Sequence, residues 1–255
     1  MWARINFAWR LCGTAFSFMV FGLGGILVPV AVVPVLRCLP GDELTRARRT
    51  QRLFHHLFRH YIDMMRFLGV LSYEVKDVEK LKHARLVLAN HPSLLDVVFL
   101  ISLLPNANCI VKGHLTRNFF IRGPVKAAGY IVNESADAAI ADADRAFRNR
   151  QCLIIFPEGT RTTPDQALKL KRGAANVAIR TGSDITPVLI YCNPTTLTKN
   201  ERWYQIPPRR MHYRILVGDQ IPIERYSTNL SPSKGARQLT RDLTEYFEKE
   251  LIAHG

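Results

Sequence analysis

The sequence predicts an α/β fold: a single mixed sheet flanked by helices, preceded by an N-terminal hydrophobic membrane segment. Three observations predict it. No charged residue occurs from Leu11 to Leu36. Beyond residue 70, short apolar runs of strand length alternate with helical patterns, which is the signature of a sheet layered by helices. Two of those runs, Leu86–Ala89 and Cys152–Phe156, are apolar throughout, as strands covered on both faces must be. No repeat, low-complexity segment or linker divides the remainder. Residues 1–40 are therefore read as a membrane anchor or re-entrant hairpin, and residues 41–255 as one domain, entered through a basic helix over 42–68.

Composition narrows the partners. A hydrophobic fraction of 47% and a charged fraction of 22% are those of a folded globular chain. The formal net charge of +14 calls for a partner rich in phosphate. Residues 1–52 hold seven arginines against Asp42 and Glu43, gathered around the uncharged span, which favours anionic membrane lipids. Basic residues do not interleave with aromatics along a strand, so nucleic acid is excluded. The five cysteines are scattered and unpaired in spacing, against both a disulfide framework and a zinc site. His55, His56 and His60 lack an acidic or thiol companion and read as a solvated helix face rather than a metal site.

The elements are taken in chain order. The span from Leu11 to Leu36 is long enough to cross a bilayer, and Gly22, Gly24, Gly25, Pro29 and Pro34 leave open a bent or re-entrant form. The arginines after it outnumber those before it, which places the domain on the cytoplasmic face of the inner or plasma membrane. Asp42–Leu68 is a helix with an Arg-rich first half, free to lie on a membrane or to cover a core. Leu71–Val75 and Leu86–Ala89 are strands, and an apolar helix runs from Leu94 to Leu104, with Pro92 suited to its first position. Cys109–Val111, Tyr130–Val132, Cys152–Phe156, Ile185–Tyr191 and His212–Val217 complete the strands. Helices cover Phe119–Ala128, a stretch capped by Ser135 through Phe147, Lys171–Thr181, and a final amphipathic run after Pro232.

Two polar corners carry the chemistry. Strand Leu86–Ala89 stops at Asn90-His91-Pro92-Ser93, with Asp96 close behind. A carboxylate that fixes one imidazole nitrogen leaves the other to take a proton, so His91 and Asp96 are candidates for a general base and its orienting partner; a capping histidine beside a solvated aspartate is the plainer alternative. Strand Cys152–Phe156 runs into Pro157-Glu158-Gly159-Thr160-Arg161. Ligands gather beyond the carboxyl ends of such strands, so both corners should share a face. Gly159 allows close backbone approach, Arg161 offers a planar fork to phosphate, and Glu158 is placed to bind a hydroxyl; a turn with a solvent-facing Glu/Arg pair is the alternative. Lys112, Lys171 and Arg172 add cations.

The blocks NHPSLLD and FPEGTR, in this order and separation, resemble the first and third signature blocks of the 1-acylglycerol-3-phosphate (lysophospholipid) acyltransferases. KRGAANVAIRTG and then ITPVLI are similar to the family's segment beyond its third block, and the match spans Arg85 to Ile190. The resemblance implies a glycerolphosphate-acyltransferase-like fold and transfer of a fatty acyl group to a lysophospholipid hydroxyl. The donor would be acyl-CoA or acyl-carrier protein, used as co-substrate with no further cofactor and no metal. It implies His91 as base, Asp96 as its partner, and Glu158, Gly159, Thr160, Arg161, Lys112 and Lys171 around the acceptor. One block departs. In GYIVNES, Asn133 and Glu134 stand where the family usually has Asp-Arg. The acceptor is therefore 1-acylglycerol 3-phosphate if the remaining cations hold its phosphate, or another lysolipid, hydroxyl or amine compound if they do not. A non-enzymatic membrane scaffold is the rival class.

Overall fold

A computed structural model describes residues 1–117, 119–133, 135–162, 166–228 and 230–254. Helix α1 (Trp2–Leu27) passes through a π-helical turn (Val28–Val32) into α2 (Val33–Cys38). Pro29 and Pro34 cannot donate to a regular α ladder, and the wider turn lets the run continue past them. The chain between Trp2 and Cys38 therefore makes no reversing turn, and the hairpin form is not the one adopted. Its 37 residues extend on the order of 55 Å, well beyond the thickness of a bilayer's hydrocarbon core.

One narrow stripe of α1 is docked on the domain. Gly13 lies against Val70, where a Cβ would come within 2.8 Å of a valine methyl. The Trp9 indole donates to the Leu68 carbonyl at 2.8 Å, and the Tyr61 hydroxyl donates to the Ser17 carbonyl at 3.2 Å. Arg10 is only 3% exposed and donates to the carbonyls of Pro207 and Pro208 at 2.8 and 2.7 Å. Trp2, Ile5, Phe16, Met19, Leu23 and Leu27 point outward and are exposed.

Helix α3 (Glu43–Phe67) starts at Asp42, whose side chain accepts the Thr45 amide at 2.8 Å. It buries Phe54, Tyr61, Ile62 and Met65 and leaves most of its arginines outside, so of its two possible uses it covers the core.

The sheet has seven strands in the order β1-β7-β6-β2-β5-β3-β4. They are β1 (Leu71–Lys76), β2 (Leu86–Ala89), β3 (Ala107–Lys112), β4 (Ile131–Asn133), β5 (Cys152–Ile155), β6 (Ile185–Asn193) and β7 (Met211–Val217). Every neighbouring pair is parallel except β6 and β7. Parallel neighbours need a crossover, and α4 (Asp96–Leu103), α5 (Phe119–Ala128), α6 (Ala136–Arg148) and α7 (Arg172–Thr181) stand between successive parallel strands. Residues 194–210 contain no helix or strand and return the chain antiparallel, which makes the sheet mixed.

Strand β2 sits at the centre and shows why its sequence is wholly apolar. Val87 and Ala89 face the layer of Phe54, Met65 and Phe99, while Leu86 and Leu88 face Phe147, Val177 and Leu243. The second layer consists of α6, α7 and α9 (Pro232–His254), with a short α8 (Glu224–Ser227) before the last.

The predicted and observed strand ends differ by a residue or two; β6 continues to Asn193 and β3 begins at Ala107. The larger difference is at α4, which starts at Asp96 and not at Leu94. Pro92 is therefore outside the helix. The Asp96 carboxylate takes the Ser93 amide at 2.7 Å and holds residues 92–95 as a turn. Asp96 is thus the first helical residue rather than one turn along.

Candidate active site

The carboxyl ends of β2, β5, β3 and β4 lie along one edge of the sheet, and both polar corners emerge there. At the first, Asn90 is buried and uses its side chain as a strand would. Its amide donates to the Ile190 carbonyl at 2.8 Å, and its oxygen accepts the Ile190 amide at 2.7 Å. This anchors the end of β2 to β6 just before the chain turns into His91.

The His91 Nδ1 and the Asp96 Oδ2 are 2.7 Å apart. Asp96 is wholly buried and 15% of the His91 side chain is exposed, so the carboxylate supports the ring from inside. With Nδ1 donating to Asp96, the Nε2 lone pair is left for a substrate proton. The ring stacks on Phe156 with centroids 4.2 Å apart, which fixes its plane. Burial pushes the Asp96 carboxyl up to about 6, opposed by its bonds to His91 and Ser93. Beneath it, the buried Tyr213 hydroxyl donates to Ser93 Oγ at 2.6 Å, so β7 braces the turn that carries the pair.

The second corner is tied to the first by Glu158. Its Oε1 accepts the His91 backbone amide at 2.8 Å, and the Thr162 hydroxyl lies 3.0 and 2.9 Å from its two oxygens. The Thr162 amide donates to the His91 carbonyl at 2.7 Å. Burial raises the Glu158 carboxyl above its ordinary value. Glu158 is only 7% exposed and spends its oxygens inside the protein, so its place is that of a brace between corners rather than an open ligand for a hydroxyl.

Gly159 adopts φ +66°, and a Cβ there would lie 3.1 Å from the Lys171 ammonium. Lys171 precedes α7 and is exposed, as is Thr160. Half-buried Arg161 donates one guanidinium nitrogen to the Leu197 carbonyl at 2.7 Å, which leaves its other N–H groups to a ligand. Lys112 is exposed at the end of β3, paired in register with Asn133. Glu134, the second residue of the departing block, lies outside the described residues.

The structure thus brings His91 and Asp96 into contact, sets Glu158 between the corners, and groups Gly159, Arg161 and Lys171 beside them. It places Lys112 at the same edge, with no bond to either corner among the described residues. The supporting roles of Asn90, Phe156, Thr162, Leu197 and Tyr213 were not read from the sequence. Asn90, as the first residue of one corner, and Phe156 and Thr162, as immediate neighbours of the other, carried a signal; Leu197 and Tyr213 carried none.

An imidazole held by a carboxylate at the carboxyl ends of parallel strands, with cations alongside, is an arrangement that can take a proton from a negatively charged substrate. Residues 72–191, which contain both polar corners, match the family model described as Acyltransferase. The relatives the chain matches are more particular. The 1-acyl-sn-glycerol-3-phosphate acyltransferase beta of Homo sapiens is 29% identical over 141 residues, covering 51% of this chain and 50% of that protein. The 1-acyl-sn-glycerol-3-phosphate acyltransferase of Borreliella burgdorferi is 30% identical over 121 residues, 45% of this chain and 48% of its own length. That of Saccharomyces cerevisiae is 26% identical over 189 residues, 70% of this chain and 60% of its own. The chain thus spans about half the length of most of these curated relatives. The crystal structure of the 1-acyl-sn-glycerophosphate (LPA) acyltransferase PlsC from Thermotoga maritima superimposes with a TM-score of 0.67 at 17% identity. The two cover 96% of this chain and 98% of that one, which establishes the common fold.

Proposed function

We propose that this protein is a membrane-associated O-acyltransferase that moves a fatty acyl group from acyl-CoA or acyl-carrier protein to the free hydroxyl of 1-acylglycerol 3-phosphate, giving phosphatidic acid. The observation that carries the reading is the 2.7 Å His91–Asp96 contact at the sheet edge, with Gly159, Arg161 and Lys171 beside it. The names and sequences of the relatives support the same acceptor.

The reaction uses these groups in turn. The His91 Nε2 takes the hydroxyl proton as the acceptor oxygen attacks the thioester carbonyl, and Asp96 stabilises the imidazolium that forms. The tetrahedral intermediate then collapses. Its C–S bond breaks, and the leaving thiolate takes the proton back from the imidazolium. No acyl-enzyme is needed, and the nearby Ser93 is no nucleophile, because its Oγ is buried and engaged by Tyr213. Arg161, Lys171 and Lys112 hold the acceptor phosphate, Gly159 and Thr160 shape its approach, and Glu158 keeps the two corners in register. The helix from Trp2 to Cys38, uncharged between Leu11 and Leu36, and the arginines on either side of that run hold the enzyme on an anionic bilayer at the cytoplasmic face.

One sequence feature favours a second reading: Glu134 occupies the place where the family usually has a phosphate-gripping arginine, an anion in place of a cation. Under it, the acceptor is another lysolipid or amine or hydroxyl compound without a terminal phosphate monoester. Purified protein in mixed micelles, given labelled acyl-CoA or acyl-carrier protein and a panel of lysolipids, separates the two. Lysophosphatidate is acylated under the first reading, and His91→Ala lowers turnover by about 10²–10⁴ or more while leaving the circular dichroism unchanged. Wild-type turnover in folded His91→Ala protein overturns the mechanism. Acylation of a phosphate-free acceptor alone overturns the substrate.

A further inference from the structure

The connection from 194 to 210 presents an unusual surface. Trp203 and Tyr204 are adjacent and 42% and 44% exposed, although each could bury a large apolar area. Their rings meet edge to face with centroids 5.6 Å apart. The Arg202 guanidinium donates to the Tyr204 hydroxyl at 2.6 Å and lies 5.9 Å from its ring centroid. Arg209 and Arg210 are also exposed, at the far end of the same connection. The nearby acid, Glu201, is turned inward and accepts the Thr198 amide at 2.9 Å.

This surface is continuous with α1. The Trp203 ring lies 5.8 Å from that of Phe18, and Arg10 holds Pro207 and Pro208 from below. Where the two elements meet, Ala3, Arg4, Phe7, Ile206 and Pro208 line an open, mostly apolar hollow of about 470 Å³. Rings with an apolar body and a polar tip, ringed by guanidinium groups, suit the headgroup level of a bilayer better than water or hydrocarbon.

We propose that Arg202, Trp203 and Tyr204, with Arg209 and Arg210, form a second lipid-contacting element that seats at the headgroup level of an anionic membrane beside α1. The proposal deepens the membrane reading given above and rests on it. It commits the domain to one orientation, with the connection before β7 facing the bilayer.

The test uses the full chain reconstituted into phosphatidylcholine vesicles with and without phosphatidylglycerol. Trp203 is one of three tryptophans, so the variant Trp2→Phe/Trp9→Phe reports on it alone. The Trp203 emission should shift to the blue on vesicles and be quenched by lipids brominated near the headgroup. Arg209→Ala/Arg210→Ala should lessen the headgroup quenching of Trp203 severalfold on vesicles with phosphatidylglycerol and leave it little changed on neutral vesicles. Co-sedimentation is measured in parallel. Protein that sediments with vesicles while Trp203 stays unshifted and unquenched overturns this proposal and leaves the membrane reading standing. Protein that does not sediment with vesicles overturns both.

Discussion

Asp96 gives one carboxylate oxygen to both His91 and Ser93, and its other oxygen, Oδ1, is buried without a partner among the described residues. Such a group holds its proton more tightly folded than unfolded, which sets the sign of its pH dependence. Activity should fall as pH drops through about 6, because the protonated carboxyl no longer stabilises an imidazolium. Stability should move the other way. A raised carboxyl contributes stability that is present below its ordinary range and is lost as pH rises through the folded value. Relative to Asp96→Asn, the wild type should therefore gain stability between pH 7 and pH 4, as denaturant unfolding at the two pH values would show. A difference independent of pH would remove the burial penalty from the account. Gly159 offers a second case. Gly159→Ala puts a Cβ at φ +66° against Lys171, which costs roughly 1 kcal/mol of backbone strain and displaces the ammonium. KM for the phosphate-bearing acceptor should rise severalfold while kcat changes little. The bases for both were partly visible in the sequence. His91, Asp96 and Gly159 announce themselves by residue type beside an apolar strand. Glu158 did not disclose its part as a brace, because that depends on the His91 amide 67 positions away in sequence.

At the scale of elements, the strands and their alternation with helices were legible because burial on both faces leaves apolar runs that few other arrangements tolerate. Which strand makes the sheet mixed was not, since nothing in His212–Val217 records which direction its neighbour runs. The start of α4 was misplaced for a related reason. Pro92 fits a first helical position, but the Asp96 carboxylate competes for the Ser93 amide and wins. Asn90 is where one side chain acts for a whole element. Asn90→Ala leaves the Ile190 amide and carbonyl buried without partners, each worth about 1–3 kcal/mol. The melting temperature should fall by roughly 2–4 °C per kcal/mol lost, measured by calorimetry. A variant as stable as the wild type would show that β2 and β6 need no such stitch. The connection after β6 matters similarly, since its Leu197 carbonyl receives both the Arg161 guanidinium and the Leu94 amide.

For the molecule as a whole, the docked stripe of α1 changes what the uncharged span means. The sequence identified a long apolar element but could not show that Trp9, Arg10, Gly13 and Ser17 are committed to the domain. On the membrane reading proposed above, attachment and folding share one helix. Salt at molar concentration should release little of the full-length protein from membranes, because screening weakens the arginine contacts but leaves the exposed apolar side of α1 untouched. Detergent should release it in folded form. Full extraction by salt alone, judged after centrifugation, would show that the helix is not embedded.

Arg10 is separated from its carbonyl partners by 197 and 198 positions. A ribosome adding about 5–20 residues per second needs on the order of 10–40 s to make that interval. Through all of it the helix exists and its seat on the domain does not. If α1 is the membrane element proposed above, a bilayer can receive the helix in that time, and delivery to the membrane then comes before the domain closes around Arg10. The guanidinium waits meanwhile at the headgroups on its flexible stem. On that reading the domain is assembled against a surface it has already reached.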